Sequence, residues 1–159
     1  MAVRDLLIVG AGPAGLATAI AARQQGLEYS IVEKGVLVNS IFHFPVHMAF
    51  FTTPELLEVG GLPLVTPYDK PTRLEALRYY RRVADAYQLN IAYNEAVVEI
   101  ERESSREGEP VFVVTTRTRT GSTRTREARA VVLAIGYYDL PNRLGVPGED
   151  LPHVSHYYT

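Results

Sequence analysis

The N-terminal part of the chain alternates between apolar runs and glycines in an order that predicts strand, turn, helix and strand. The apolar run Asp5–Val9 predicts a short buried parallel strand. Apolar residues at helical spacing over Ala14–Gln25 predict a helix, which Gly26 would end as a C-cap glycine. Tyr29–Val32 predicts a second strand, which ends at Glu33. These elements form a βαβ unit, the building block of parallel sheets.

The middle of the chain, Asn39–Tyr68, has no regular period and is rich in aromatic residues and prolines. Long structured loops are usually functional, so we expect this loop to contribute to a site. A brief helix is expected at Pro54. Thr72 and Glu75 have the spacing of a capping box, and the helix that they open is expected to run to about Tyr87.

The period of the apolar positions changes to two after Ile91, which predicts an antiparallel meander. We expect its three strands at Val97–Arg102, Val111–Thr116 and Arg124–Ala130. Val131–Ile135 is apolar throughout and predicts another buried parallel strand, which ends in Gly136. The expected fold class is therefore α/β: a Rossmann-like, three-layer domain with a parallel sheet and a three-stranded antiparallel meander. We expect this domain over residues 1–136 and a connection toward a further domain over residues 137–159.

Gly10, Gly12 and Gly15 lie between the first predicted strand and the helix, at the GxGxxG spacing of the dinucleotide-binding fingerprint. Gly10 would make the tight turn, Gly12 would let the backbone approach a pyrophosphate, and Gly15 would let the helix pack on the strand. The phosphates would face the unpaired N–H groups of the helix N-terminus, where Pro13 and Ala14 lie. The spacing alone occurs by chance, but its position between a strand and a helix favours a dinucleotide site over a structural turn.

Glu33 ends the second predicted strand, where a carboxylate can accept hydrogen bonds from both hydroxyls of an adenosine ribose. The alternative is a solvated glutamate at a strand end. A 2′-phosphate beside this carboxylate would be repelled, so we expect FAD or NAD here and not NADP. An NAD dehydrogenase would continue with further βαβ units, whereas a meander followed by one buried strand fits the FAD domains of the glutathione-reductase superfamily. The sequence therefore favours FAD as the cofactor.

Charge and composition narrow the class of protein. The formal net charge of −2 gives no overall attraction to nucleic acid or to an anionic membrane. The absence of cysteine excludes disulfides, thiolate metal sites and a dithiol redox pair on this chain, and we expect no metal site. Leu6–Ala22 carries no charge, but the glycines and Pro13 in its centre would break a membrane-spanning helix. We therefore expect a soluble, cytoplasmic protein that binds neither nucleic acid nor membrane.

Several segments, taken in order, resemble the bacillithiol-disulfide reductase family, a thioredoxin-reductase-like group of FAD enzymes that use NADPH. These segments are Gly10–Gly15, Glu33–Gly35, Asn39–Ile41, Phe50–Thr53, Gly136–Asn142, Val146–Pro152 and Val154–Tyr157. The resemblance implies that Glu33 and Lys34 hold the adenosine and that Val97 lies at the adenine. It further implies that Ala134 and Gly136 line the cofactor, and that Ser40 and Thr52 lie near the ribityl chain or the flavin ring.

The chain departs from that family in two ways. The family has cysteine at the position of Ala14, and it continues into an NADPH domain with its own glycine motif, of which this sequence has no counterpart. We expect the FAD-binding portion of an NADPH-dependent flavin oxidoreductase that reduces a small-molecule acceptor, with NADPH implied only for a full-length form. The alternatives are a flavin monooxygenase-like enzyme and a stand-alone flavin-binding module without activity. No catalytic residue is assigned, and a homo-oligomer stays open.

Other polar residues have two interpretations each. Five arginines interleaved with threonines would form either a patch for an anionic partner or the solvent face of a hairpin, and their period of two favours the hairpin. They are Arg117, Arg119, Arg124, Arg126 and Arg129. His47 would lie either near the flavin ring or on the polar surface. Tyr79, Tyr80 and Tyr87 are expected to pack within the protein and not to contact a ligand.

Overall fold

The computed structural model describes residues 3–104 and 108–157, whose strands form one six-stranded mixed sheet. The strands are β1 (Arg4–Val9), β2 (Tyr29–Val32), β3 (Ile91–Ala92), β4 (Glu95–Ser104), β5 (Pro110–Thr118) and β6 (Thr123–Leu133). Their order across the sheet is β3-β2-β1-β6-β5-β4. The pairs β3-β2, β2-β1 and β1-β6 are parallel, whereas β6-β5 and β5-β4 are antiparallel. The predicted parallel sheet with a three-stranded meander is confirmed.

The last two predicted strands are one strand in the structure. Ala128 already pairs with Arg4 of β1, and the same parallel register continues to Leu133 beside Val9. Because no turn residue follows Ala130, β6 stays extended beyond Ala128, its last residue that pairs with β5. The expectation that Val131–Ile135 is fully buried is wrong: Leu133 and Ile135 are 62% and 61% exposed, because the pairing with β5 stops at Ala128.

The helices are α1 (Pro13–Gln24), α2 (Asn39–Phe42) and α3 (Arg73–Ala86), with a 3-10 turn at Pro54–Leu57. The predicted capping box is confirmed, since the Thr72 hydroxyl accepts from the N–H of Glu75 while the Glu75 carboxylate accepts from the N–H of Thr72 at 2.8 Å. Of the helices in the described part of the chain, none is both long and apolar enough to cross a bilayer.

Three groups of apolar side chains form the core. The larger group joins α1, α3 and the loop before α3, and Tyr80 at its centre is fully buried, with its hydroxyl donating to the carbonyl of Leu57 at 2.9 Å. Tyr79 and Tyr87 also bond to backbone carbonyls of this loop, so the predicted packing role of the three tyrosines is confirmed. A second, smaller group places Leu7 and Val32 against the meander residues Val114 and Ala128. A third group contains Ile8 of β1, Ala19 of α1 and Ile31 of β2.

Candidate dinucleotide-binding site

The carboxyl ends of three adjacent parallel strands, β2, β1 and β6, meet at one edge of the sheet. Glu33 follows β2, the glycine turn follows β1, and Ala134 follows β6. Sequence reasoning placed all three at strand ends, and the sheet order brings them together. Ligands of open α/β sheets bind in a crevice at this edge, so the placement defines the candidate site.

The three glycines of the turn meet different surroundings. Gly10 has φ +108°, and a Cβ there would lie 2.4 Å from the carbonyl oxygen of Ala134. A Cβ on Gly15 would lie 1.9 Å from the carbonyl oxygen of Gly10. A Cβ on Gly12, in contrast, would have no heavy atom of the described chain within 4 Å. Gly10 and Gly15 are therefore required by packing, while Gly12 faces open space, as the predicted approach of a phosphate demands.

The N-terminus of α1 borders that open space. Gly12 is the N-cap and Pro13 is the first helical residue, followed by the exposed Ala14 and the buried Gly15. The N–H groups of a first helical turn have no acceptor within the helix and form its positive end. The turn therefore offers N–H donors and a partial positive charge where Gly12 leaves room, which suits an anion.

Glu33 is only 5% exposed, so the alternative of a solvated surface glutamate is wrong. One carboxylate oxygen accepts from the N–H of Ala11 in the glycine turn, and the other accepts from the N–H of Gly35, both at 2.8 Å. Each carboxylate oxygen has two lone-pair sites, so both keep acceptor capacity for hydroxyl donors. The bond to Ala11 was not foreseen from the sequence, because the motif gives only the position of Glu33 at a strand end.

The loop after β2 is held against the same turn. Val38 has φ +47°, a conformation that is rare for a β-branched residue, and its N–H donates to the carbonyl of Ala11 at 3.0 Å. Backbone conformations of this kind concentrate at functional sites. The contact places α2, which contains the half-buried Ser40, directly after a residue tied to the glycine turn.

Thr52 is the clearest sign of a missing polar partner. Among the buried side-chain nitrogen and oxygen atoms of the described residues, its hydroxyl oxygen is the one without a hydrogen-bond partner. A buried polar group left unpaired costs about 1–3 kcal/mol, so such groups commonly bond to a ligand or to water. Together with the space at Gly12 and the acceptors of Glu33, this orphaned hydroxyl fits a bound dinucleotide such as FAD.

Two other predicted residues have partners within the chain. The Lys34 ammonium forms an ion pair with the carboxylate of Asp139 beyond β6. Val97 packs with the smaller apolar group, which contains Val32, the residue before Glu33. The contact of either residue with an adenosine stays a prediction.

Sequence reasoning missed a buried ion cluster beside this edge. Glu95, at the start of β4, is 1% exposed and donates its backbone N–H to the carbonyl of Glu33 at 2.9 Å. Its carboxylate accepts from Arg126 Nη2 at 3.1 Å, from Arg124 Nη1 at 3.3 Å and from the Thr116 hydroxyl. Burial acts to raise the pKa of Glu95, but the hydrogen bonds and charges of these partners outweigh it and lower the pKa.

The arginines of the hairpin do not all share one face. Arg117 and Arg119 are exposed, as the hairpin interpretation predicts. That interpretation is wrong for Arg126, whose side chain is 22% exposed and turned toward Glu95. Glu95 lies on β4 and Arg126 on β6, with β5 between them, so only the register of all three strands could have signalled the pair.

The comparison with known proteins agrees with this geometry. The family described as "Pyridine nucleotide-disulphide oxidoreductase" matches residues 7–159. The chain belongs to this family.

Members of the pyridine nucleotide-disulphide oxidoreductase family that resemble the chain are longer than it. Bacilliredoxin reductase Bdr of Bacillus subtilis is 41% identical over 152 residues, which are 96% of this chain and 44% of that protein. A ferredoxin–NADP reductase of Lactococcus lactis is 34% identical over 149 residues, which are 92% of this chain and 39% of that protein. The chain thus spans less than half the length of these relatives.

A solved structure supports the same grouping. The bacillithiol disulfide reductase Bdr (YpdA) from Bacillus cereus superposes with a TM-score of 0.91 at 39% identity, over 99% of this chain and 47% of that one. The resemblance to the bacillithiol-disulfide reductases that the sequence motifs indicate is confirmed.

Proposed function

We propose that the chain provides the FAD-binding part of an NADPH-dependent flavin oxidoreductase of the pyridine nucleotide-disulphide oxidoreductase type. The observation that carries the proposal is the open space at Gly12, bordered by the N-terminus of α1 and by the buried carboxylate of Glu33. In this arrangement the helix N-terminus binds the pyrophosphate and Glu33 accepts from the ribose hydroxyls. Bound FAD would supply the electron-transfer chemistry, which these residues position.

FAD, and not a nicotinamide dinucleotide, is the proposed occupant of this turn. The unpaired hydroxyl of Thr52 lies in the loop that the family resemblance places near the ribityl chain or the flavin ring. The buried carboxylate of Glu33 disfavours a 2′-phosphate. NADPH would therefore bind at a second site, for which the longer relatives leave ample chain length.

The proposed electron acceptor is a small molecule, such as a low-molecular-weight disulfide, that is reduced without a thiol from residues 1–159. The chain has no cysteine, so these residues cannot form a mixed disulfide with a substrate. Ala14, at the position of the family cysteine, is exposed at the N-terminus of α1 beside the candidate site. One relative is named for bacilliredoxin and another for ferredoxin, so the family motif alone does not fix the acceptor.

The first test concerns the cofactor and Glu33, in the protein produced from its complete natural gene. Extraction of the bound flavin should yield FAD, and FMN as the main species would contradict the proposal. The Glu33→Ala variant should bind FAD more weakly by about 1–3 kcal/mol, the scale of a lost charge-assisted hydrogen bond. Glu28→Ala is the matched control, since that side chain is 77% exposed and lies before β2. Equal FAD affinity in both variants would remove Glu33 from the site.

The second test concerns the reaction. Residues 1–159 alone should bind FAD weakly, because the family resemblance implies a C-terminal return segment, outside these residues, that closes the flavin site. They should reduce no disulfide with NADPH, because they contain a single glycine turn and the carboxylate of Glu33 repels a 2′-phosphate there. The complete gene product should show flavin reduction by NADPH in stopped-flow measurements. Robust disulfide turnover by residues 1–159 alone would overturn the proposal. NADPH-driven oxygenation of an organic substrate by the complete product would favour the monooxygenase alternative.

A further inference from the structure

The ion pair between Lys34 and Asp139 joins two segments that follow the strands on either side of β1 and its glycine turn. Lys34 follows β2 and Asp139 follows β6, and these two strands flank β1 on either side. Neighbouring strands lie about 4.8 Å apart, so β2 and β6 are separated by roughly 10 Å, with the end of β1 between them. The Lys34–Asp139 ion pair joins the segments that follow these two strands, and β1 with its glycine turn lies between the strands.

The residue before Asp139 ties the same segment to the loop that contains Ser40 and Thr52. The Tyr138 hydroxyl donates to the carbonyl of His43 at 3.2 Å, and its ring packs edge-on against Phe44 with the centroids 4.9 Å apart. Tyr157 packs against Tyr138: its hydroxyl donates to the carbonyl of Tyr138 at 2.8 Å, and the centroids of the two rings lie 5.1 Å apart. Residues 137–139, which follow β6, are thus fastened at two places to the chain that follows β2.

We propose that residues 137–139 form a clasp across the glycine turn, in which Asp139 and Tyr138 are positioning residues that slow the release of a bound dinucleotide. The inference rests on the proposed function, since it requires a cofactor at the turn. Lys34 and Asp139 are about half exposed, with side-chain exposures of 52% and 46%, so water can compete for this arm and let it open. The aromatic arm at Tyr138 is half-buried and more firmly held.

The clasp is tested by the dissociation rate of FAD from the protein produced from its complete natural gene. Release after rapid dilution is followed by flavin fluorescence in wild type, Asp139→Asn and Tyr138→Ala. Asp139→Asn should release FAD up to about fivefold faster, the range for an exposed ion pair. Tyr138→Ala should release it up to about tenfold faster, because it loses the aromatic contacts. Asp150→Asn is the matched control, since Asp150 forms an exposed ion pair with Arg143 in the same tail.

The dependence of the FAD release rate on ionic strength distinguishes a clasp from a general structural role. Raising the ionic strength from about 0.01 M to about 1 M shortens the Debye length from roughly 30 Å to 3 Å. The wild-type release rate should then rise toward that of Asp139→Asn, whereas the rate of the variant should stay constant. Equal release from wild type and Asp139→Asn, or an equal salt response in both, would overturn the clasp and leave the proposed function intact. A wild-type protein that binds no FAD would overturn both.

Discussion

Glu33 and Glu95 are joined by one backbone hydrogen bond, and both are buried, yet their carboxylates are held in different ways. Glu33 accepts from two backbone N–H groups, which are neutral donors. Glu95 faces the guanidinium groups of Arg124 and Arg126 and accepts a hydrogen bond from Thr116. Among the described residues, the Glu33 carboxylate thus has backbone donors, whereas the Glu95 carboxylate is ion-paired with two arginines.

This difference separates a carboxylate that suits a ligand from one that supports the fold. The partners of Glu95 occupy both of its oxygens with charged donors, so a ligand would have to displace an arginine. The partners of Glu33 fix its orientation and leave lone pairs for hydroxyl groups. Burial alone thus does not distinguish the two roles, whereas the type of partner does.

The largest expected effect is on stability, from the removal of Glu95. Glu95→Ala leaves two arginines and Thr116 without their buried acceptor, and breaking a buried ion pair from one side typically costs 3–5 kcal/mol. We expect a loss of about 3 kcal/mol in the free energy of unfolding, at the low end because Arg124 is 59% exposed. Urea denaturation measures it. Glu99→Ala, at an exposed position of the same strand, should change stability by less than about 0.5 kcal/mol, and equal losses in both variants would refute the distinction.

The next effect separates packing from ligand binding within the glycine turn. Gly15→Ala places a methyl group 1.9 Å from a carbonyl oxygen, so we expect a loss of about 1–3 kcal/mol in unfolding free energy together with weakened FAD binding. Gly12→Ala meets open space and should leave stability within about 0.5 kcal/mol of wild type. It should nevertheless weaken FAD binding at least about tenfold, roughly 1.4 kcal/mol, because the methyl group occupies the phosphate position.

The two glycine variants are measured by urea denaturation and by FAD titration. A Gly12→Ala variant that binds FAD as tightly as wild type would show that the space at Gly12 is not a phosphate site. A Gly12→Ala variant that unfolds as easily as Gly15→Ala would show that the open space seen beside Gly12 closes in solution.

Sequence reasoning succeeded where the signals are local. The bounds of β2, the capping box at Thr72 and the glycine turn follow from neighbouring residues, because turn geometry and helix caps depend on a few adjacent positions. It failed where contacts join distant parts of the chain. The bond of Arg126 to Glu95 spans 31 positions and depends on the register of three strands, which alternation alone does not determine.

The C-terminal tail, residues 137–157, shows the same limit of sequence-based prediction. Its prolines and lack of period predict a connection, and the family resemblance implies that Lys34 holds an adenosine. The contact of Lys34 with Asp139 spans 105 positions. It exists because β2 and β6 flank β1, which only the sheet order reveals.

The smallest expected effect concerns Glu149, which repeats the two backbone hydrogen bonds of Glu33 within residues 137–157. Its carboxylate accepts from the N–H groups of Leu144 at 3.0 Å and Gly145 at 2.7 Å, and also from His156 Nε2 at 2.9 Å. The His156 hydrogen bond first, and then the two backbone donors, lower the pKa of Glu149 to about 2. Because the folded pKa lies below the ordinary value of 4.5, these bonds stabilise the tail above about pH 4.5, and the contribution is lost as the pH falls toward 2.

An NMR titration of the Glu149 carboxyl carbon should therefore show a midpoint near pH 2 in the wild type. His156→Ala isolates the two backbone donors, so the midpoint should rise while staying below the ordinary value of 4.5. Because both backbone donors favour the ionised form, this residual depression should persist. A midpoint near 4.5 in His156→Ala would show that the histidine alone lowers the pKa of Glu149. Backbone N–H groups would then orient a carboxylate without favouring its charged form.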